Sequence, residues 1–156
     1  MPIKSFRGMM KSDTVDTINL HTNTGSIGYR IKKFQVISGN PVSENDRWVV
    51  KIYTIPQPDP TVTPPTVTVD FSDNTLLGVG VFSSQAAAQT YPEDMTIIFD
   101  NMVFNQDIYI TAKAEQGTNV NYYIELEATK LALDENTVAT LKDIRNITGR
   151  WVNNIT

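Results

Sequence analysis

The sequence predicts an all-β domain, namely an antiparallel β-sandwich of about eight strands, jelly-roll-like in arrangement, with one short C-terminal helix. Apolar and polar residues alternate along much of the 156-residue chain, which is the pattern of strands with one face on a core. Turn-forming residues interrupt this alternation at short intervals. No helical pattern lies between the strands, which favours antiparallel pairing because parallel strands need long crossover connections.

The first twelve residues carry basic side chains and no acidic ones. Lys4, Arg7 and Lys11 precede a remainder that is acidic enough to give the whole chain a net charge of −4. Residues 1–12 are therefore predicted to form a basic N-terminal arm, which lies in solvent or packs on a neighbouring subunit. The sandwich domain is predicted to span residues 13–133.

Eight stretches have the alternation or the residue content of strands. In order, the predicted strands are 14–22, 27–38, 47–55, 66–71, 77–82, 95–99, 108–114 and 122–128. The last two are joined by Gln116-Gly117-Thr118-Asn119, a short polar connection with a glycine, which predicts a hairpin of two paired antiparallel strands. Gly78 and Gly80 are expected to relieve crowding in a curved or bulged strand.

Residues 56–65 hold five prolines, which cannot donate backbone hydrogen bonds to a sheet. The segment is predicted to run as an extended, polyproline-like loop. We expect a stiff surface connection or an arm across a neighbouring subunit, since such a segment loses little entropy on docking. A ligand for a proline-binding groove is the alternative.

Residues 134–156 are predicted to contain the one helix and a tail. Asp134 can cap a helix in which Val138, Leu141 and Ile144 share one side. Trp151 follows the helix, either as a lid on the end of the core or as an anchor in a pocket of a partner.

The chain holds few residues for catalysis or metal binding. It has one histidine, His21, and no cysteine, so cysteine nucleophiles and thiolate metal sites are excluded. His21 has no second histidine at metal-ligand spacing, and Ser83-Ser84 lies in no nucleophile elbow. Acidic residues such as Asp70 and Asp73 are expected to solvate turns. We predict no catalytic residue, no metal and no cofactor, and the lack of a long apolar stretch predicts no membrane contact.

Both ends of the chain and its second predicted strand resemble the sequences of a known group of proteins. The stretches 1–8, 28–35 and 123–146 resemble small virion structural proteins of marine tailed bacteriophages. The resemblance implies a non-enzymatic protein located in the virion, either a capsid decoration protein or a component of the tail or capsid surface. It also implies a homo-oligomer whose partners are the major capsid protein or other virion proteins.

The predicted interface consists of side chains from the arm, the proline-rich loop and the tail, namely Lys4, Phe6, Arg7, Lys11, Pro58, Pro60, Pro64, Pro65 and Trp151. Three basic residues are few for nucleic acid, which is therefore disfavoured as a partner. The alternative function is a carbohydrate- or receptor-binding β-sandwich module, in which Trp48, Tyr53, Tyr91 or Tyr109 stacks on sugar rings. An enzyme ranks third, because it requires loop carboxylates to converge in a cleft.

Overall fold

The computed structural model of the protein describes residues 2–20, 27–41, 45–85, 90–99 and 102–130. They form eight strands, numbered in chain order: β1 (Ile3–Met10), β2 (Thr14–Ile18), β3 (Ile27–Ser38), β4 (Asp46–Tyr53), β5 (Leu76–Gln85), β6 (Thr90–Ile98), β7 (Ile108–Gln116) and β8 (Val120–Lys130). The prediction of an all-β fold is confirmed, and no helix occurs within the described residues. His21, the predicted helix from Asp134 and Trp151 lie outside them.

The strands form two antiparallel sheets, as a sandwich requires. The three-stranded sheet has the order β1-β8-β3, and the five-stranded sheet has the order β2-β7-β4-β5-β6. The pairing is nested, because β1 pairs with β8, β2 with β7 and β4 with β5. The remaining two strands, β3 and β6, contact each other without being hydrogen-bonded neighbours. Three strands of the first half therefore pair with their counterparts in the second half, and the fourth, β3, contacts its counterpart from the other sheet.

The hydrophobic core lies between the two sheets. β4 contributes Trp48, Val50 and Ile52, which are at most 1% exposed. Ile124 and Leu126 of β8 belong to the same cluster and are fully buried. Burial of a large apolar side chain stabilises the fold by about 1.5–3 kcal/mol. These side chains therefore hold strands of both sheets together.

Gly80 lets β3 approach the five-stranded sheet closely, and Gly78 lies on the same face of β5. A Cβ atom on Gly80 of β5 would lie 3.1 Å from Cε2 of Phe34 and closer still to Cγ2 of Val36. A Cβ atom on Gly78 would lie 3.7 Å from Cδ2 of Phe34. Phe34 and Val36 are 2% and 3% exposed, because they pack directly on this glycine backbone. The crowding that the sequence predicts comes from the opposite sheet at Gly80 and from the Ile97 backbone of the neighbouring strand at Gly78.

Most of the segment predicted as a basic arm is a strand of the domain. β1 is an edge strand that pairs with β8 from Ile3, opposite Glu127, to Met10, opposite Val120. Met10 is 3% exposed and belongs to the core, and Phe6 is half-buried against it. An edge strand with charged side chains has the same composition as a solvated arm, which explains the difference from the prediction.

Two further predictions are wrong. Residues 66–71 form no strand and belong to the connection between β4 and β5. β7 and β8, predicted to pair as a hairpin, lie in different sheets. The turn between them passes from one sheet to the other through Gly117, whose φ of 133° lies in the region that favours glycine. The glycine therefore indicated a turn, but it did not show which strands pair.

Candidate interaction surfaces

The basic residues near the N-terminus do not form one patch. On β1, even-numbered residues share the inner face with Ile124, and odd-numbered residues share the outer face of the three-stranded sheet. Lys4 extends from the inner side, with its Nζ atom 5.4 Å from the centre of the Tyr29 ring. Arg7 lies on the outer face, and Lys11 follows the end of the strand. The structure therefore separates three residues that the sequence groups together.

A groove of about 480 Å³ lies on the outer face of the three-stranded sheet. Met9 and Ile37 are its exposed apolar residues, and Arg7 and Tyr123 add polar groups. Tyr123 donates a hydrogen bond of 2.8 Å from its hydroxyl group to Glu125 Oε2. The groove thus presents apolar side chains beside one predicted interface residue, Arg7.

The connection between β4 and β5, residues 54–75, lies on the outer face of the five-stranded sheet. Lys51 of β4 donates a hydrogen bond of 2.9 Å from Nζ to the backbone oxygen of Thr68. Phe71 packs edge to face on Phe99, with ring centroids 5.3 Å apart. Since Phe99 directly follows β6, the connection crosses the sheet from β4 towards β6.

Three aspartates hold the turns of this connection. Each Oδ1 atom accepts hydrogen bonds from the backbone N–H and the hydroxyl group two residues further on, in the pairs Asp59–Thr61, Asp70–Ser72 and Asp73–Thr75. The bonds lower the pKa of Asp59, chiefly through the backbone donor, and of Asp70, chiefly through the hydroxyl donor. Pro60 is half-buried within the first of these turns. The repeated Asp-x-Thr/Ser pattern is the sequence signal for such turns.

A cavity of about 170 Å³ lies between the connection and the sheet. Pro58, Pro64 and Pro65 line it from the connection. Lys51 and Thr111, which are opposite each other on β4 and β7, line it from the sheet. The structure thus brings together three of the four prolines that the sequence predicts to form an interface.

Lys51 and Thr111 are buried although they lie on an outer face, because the connection covers them to 4% and 3% exposure. Burial lowers the pKa of Lys51, and the nearby charge of Asp73 opposes this shift. Lys51 forms no ion pair within the described part of the chain. The Thr111 hydroxyl is buried without a hydrogen-bond partner among the described residues. Burial, followed by the charges of Asp73 and Asp70, raises the pKa of Tyr53 to about 12.

Further exposed apolar side chains lie on β5 and β6, on the same outer face of the five-stranded sheet, and on the connection that crosses it. We call Val69, Phe71, Val81, Met95 and Ile97 the apolar face. Val81 of β5 lies directly opposite Met95 of β6, and Ile97 lies two residues further along the same side. Met95 is 63% exposed and Phe71 is 56% exposed. Exposed apolar side chains grouped on one face of a protein are typical of sites where proteins associate.

The turn at Gly117 packs over buried side chains of β4. The Ser38 hydroxyl donates a hydrogen bond to Asp46 Oδ2, and Asp46 is 0% exposed. A Cβ atom on Gly117 would lie 3.0 Å from Cε2 of Trp48 and closer to Asp46 Oδ1. The turn backbone therefore fits over these two side chains only because residue 117 has no side chain.

The residues considered for sugar stacking differ in their burial. Trp48 is 1% exposed and belongs to the core, which contradicts its assignment as an exposed aromatic residue. Tyr53 and Tyr109 lie opposite each other on β4 and β7, and both are half-buried. The side chain of Tyr91 lies outside the described part of the structure.

The chain matches no known family model, and no curated protein matches its sequence. Within the described ranges, no group of three or more histidine, aspartate or glutamate side chains is arranged to hold a metal ion. The same ranges contain no helix of the length and apolarity that crossing a membrane requires. The described surfaces offer apolar contact at the apolar face. They also offer hydrogen bonding in the cavity between the 54–75 connection and the sheet, which we call the Lys51 cavity.

Proposed function

We propose that the protein is a non-enzymatic structural protein of a virus particle, which decorates or stabilises the capsid surface. The apolar face is the observation that carries this proposal, because it gives the chain a group of exposed apolar side chains on and beside the outer face of a sheet. The virion as the location, and the major capsid protein or other virion proteins as further partners, come from the sequence resemblance alone.

The nested strand pairing supports the proposal at the level of the fold. Three strand pairs taken inwards from the two ends of the chain, together with the contact between β3 and β6, resemble a jelly-roll arrangement. In this interpretation, β6 contacts β3 but forms its hydrogen bonds with β5. Eight-stranded jelly rolls are common in viral capsid and lectin domains. Because one fold can serve many functions, the strand arrangement supports the proposal only in combination with the apolar face.

We assign a second copy of this chain to the apolar face. Two chains with a net charge of −4 repel each other, so an uncharged surface is where they can meet. All five side chains of the apolar face are uncharged and apolar. A two-fold axis would place the same surface on both sides of the contact, and apolar side chains are self-complementary in that arrangement.

The test compares two methionines on opposite sheets. Met95 of the apolar face is 63% exposed, and Met9 on the outer face of β1 is 58% exposed, so Met9→Lys is a matched control for Met95→Lys. We expect size-exclusion chromatography with light scattering to find an oligomer for the unaltered chain and for Met9→Lys, and a monomer for Met95→Lys. An unaltered chain that stays monomeric at all concentrations would contradict the assignment of a second copy.

A binding assay then separates the structural role from the alternative. The full chain is mixed with intact and stripped virions of marine tailed bacteriophages and, in parallel, with a panel of glycans. Binding to particles supports the structural proposal. Binding to a glycan without binding to particles refutes it and supports a carbohydrate-binding module. Deleting residues 1–12 is not a suitable test of assembly, because it removes β1 from its pairing with β8.

A further inference from the structure

The cavity beneath the 54–75 connection contains two buried polar groups that the proposed function does not use. The Lys51 ammonium has three N–H donors, and the backbone oxygen of Thr68 accepts from it at 2.9 Å. The Thr111 hydroxyl can both donate and accept, and no described residue bonds to it. Both residues line the same cavity and are opposite each other on adjacent strands.

The charge of Lys51 is not balanced by contact with a described carboxylate. Its described neighbours include the face of the Tyr53 ring, whose centre is 5.9 Å from Nζ, and no ion pair is formed there. Asp73 acts on Lys51 only through its electrostatic field. A buried cation is stable when acceptors surround it, so its remaining donors require oxygen atoms in the cavity.

The size of the cavity limits what can supply those oxygen atoms. Its volume is about 170 Å³, and a cavity of about 150 Å³ is large enough for a molecule the size of benzene. Pro58, Pro64 and Pro65 give part of the wall a stiff, apolar surface, and the polar residues Gln57, Thr63 and Thr66 line the rest of this side. A compact anion with a few oxygen atoms fits both the volume and the donors.

We propose that this cavity binds a small oxyanion, a carboxylate or a phosphate ion, between the Lys51 ammonium and the Thr111 hydroxyl. The ammonium supplies the charge and two hydrogen bonds, and the hydroxyl donates one more to the same ion. The ion in turn fastens the proline-rich connection to the sheet, because Lys51 also holds Thr68. The site shares no residue with the apolar face.

The experiment titrates the full chain separately with sodium phosphate and with sodium acetate at neutral pH, with sodium chloride holding the ionic strength constant. Isothermal calorimetry measures binding, and thermal unfolding reports the stabilisation that a ligand of the folded state produces. Lys51→Met keeps the length of the side chain without its charge, and Thr111→Val keeps its shape without the hydroxyl group. Lys33→Met, at an exposed lysine on β3, is the matched control.

We expect saturable binding of phosphate or acetate, with the two arms identifying which oxyanion fits. Loss of a hydrogen bond to a charged group corresponds to at least about tenfold weaker binding in Lys51→Met and Thr111→Val. Lys33→Met should bind like the unaltered chain. The proposal is refuted if neither anion binds more strongly than chloride, or if affinity is unchanged in Thr111→Val. The latter variant decides the question even if Lys51→Met does not fold.

Discussion

Replacing Gly80 by alanine tests how the two sheets pack. The added methyl group would lie 3.1 Å and 3.2 Å from Cε2 and Cζ of Phe34, and in steric overlap with Cγ2 of Val36. Ordinary contacts between carbon atoms are about 3.5–4.0 Å, so β3 and β5 must move apart or Val36 must leave its rotamer. Overpacking of this kind costs about 1–3 kcal/mol. We expect Gly80→Ala to reduce the free energy of unfolding by about 2 kcal/mol.

A second substitution identifies the cause. Val36→Ala removes two methyl groups from a buried position, which costs about 1.6 kcal/mol of transfer free energy plus a term for the cavity. In the double variant, the methyl group added at position 80 occupies part of that cavity. The loss of stability in the double variant should therefore be smaller than the sum of the two single losses, by an interaction energy of about 1–2 kcal/mol.

Urea unfolding followed by tryptophan fluorescence measures the four free energies. Gly78→Ala is the control on the same strand and face, because its Cβ atom would meet Phe34 at an ordinary 3.7 Å and the Ile97 oxygen at 3.2 Å. It should cost less than Gly80→Ala and should not be rescued by Val36→Ala. An unchanged unfolding midpoint for Gly80→Ala, or strictly additive losses in the double variant, would refute the packing of β3 on β5.

Three further outcomes can be measured. Gly117→Ala should lower the free energy of unfolding by more than about 1 kcal/mol in urea, because φ is 133° and the methyl group overlaps Asp46 and Trp48. Burial raises the pKa of Tyr53 and Tyr122 to about 12, so between pH values of about 10 and 12 the folded chain binds more protons than the unfolded chain. Stability should therefore fall as the pH rises through this range, and less steeply in Tyr122→Phe. Arg30→Met, which removes the 3.2 Å ion pair with Glu127, should cost less than about 1 kcal/mol, and this loss should shrink in high salt.

The sequence predicts which residues face the core better than it predicts which strands pair. Alternation identified β3 with its observed bounds, Ile27–Ser38, because every second side chain of its C-terminal half is buried. It also located the runs in β7 and β8, since Ile110 and Ile124 are fully buried. Alternation carries no information about the neighbouring strand, however. The hairpin prediction failed because a glycine turn can equally join strands in different sheets.

The Lys51 cavity could not be predicted from local pattern. Lys51 alternates with Val50 and Ile52, which places it on the outer face and suggests contact with solvent. Its burial results from the 54–75 connection, whose path depends on contacts with Thr68 and between Phe71 and Phe99. Such contacts join residues far apart in sequence, so only the assembled chain brings the lysine and the prolines together.

The nested pairing has a consequence for how the protein is synthesised. In the three-stranded sheet, β8 is the central strand, and both β1 and β3 form their ladders with it. β1 and β3 cannot pair with β8 until nearly all of the described chain has left the ribosome. Their backbone donors and acceptors remain unpaired during translation, and closing such distant contacts is slow. The sandwich must therefore form after synthesis of β8, and the nascent chain depends on charged strand residues such as Lys4 and Arg7, or on chaperones, to avoid aggregation until then.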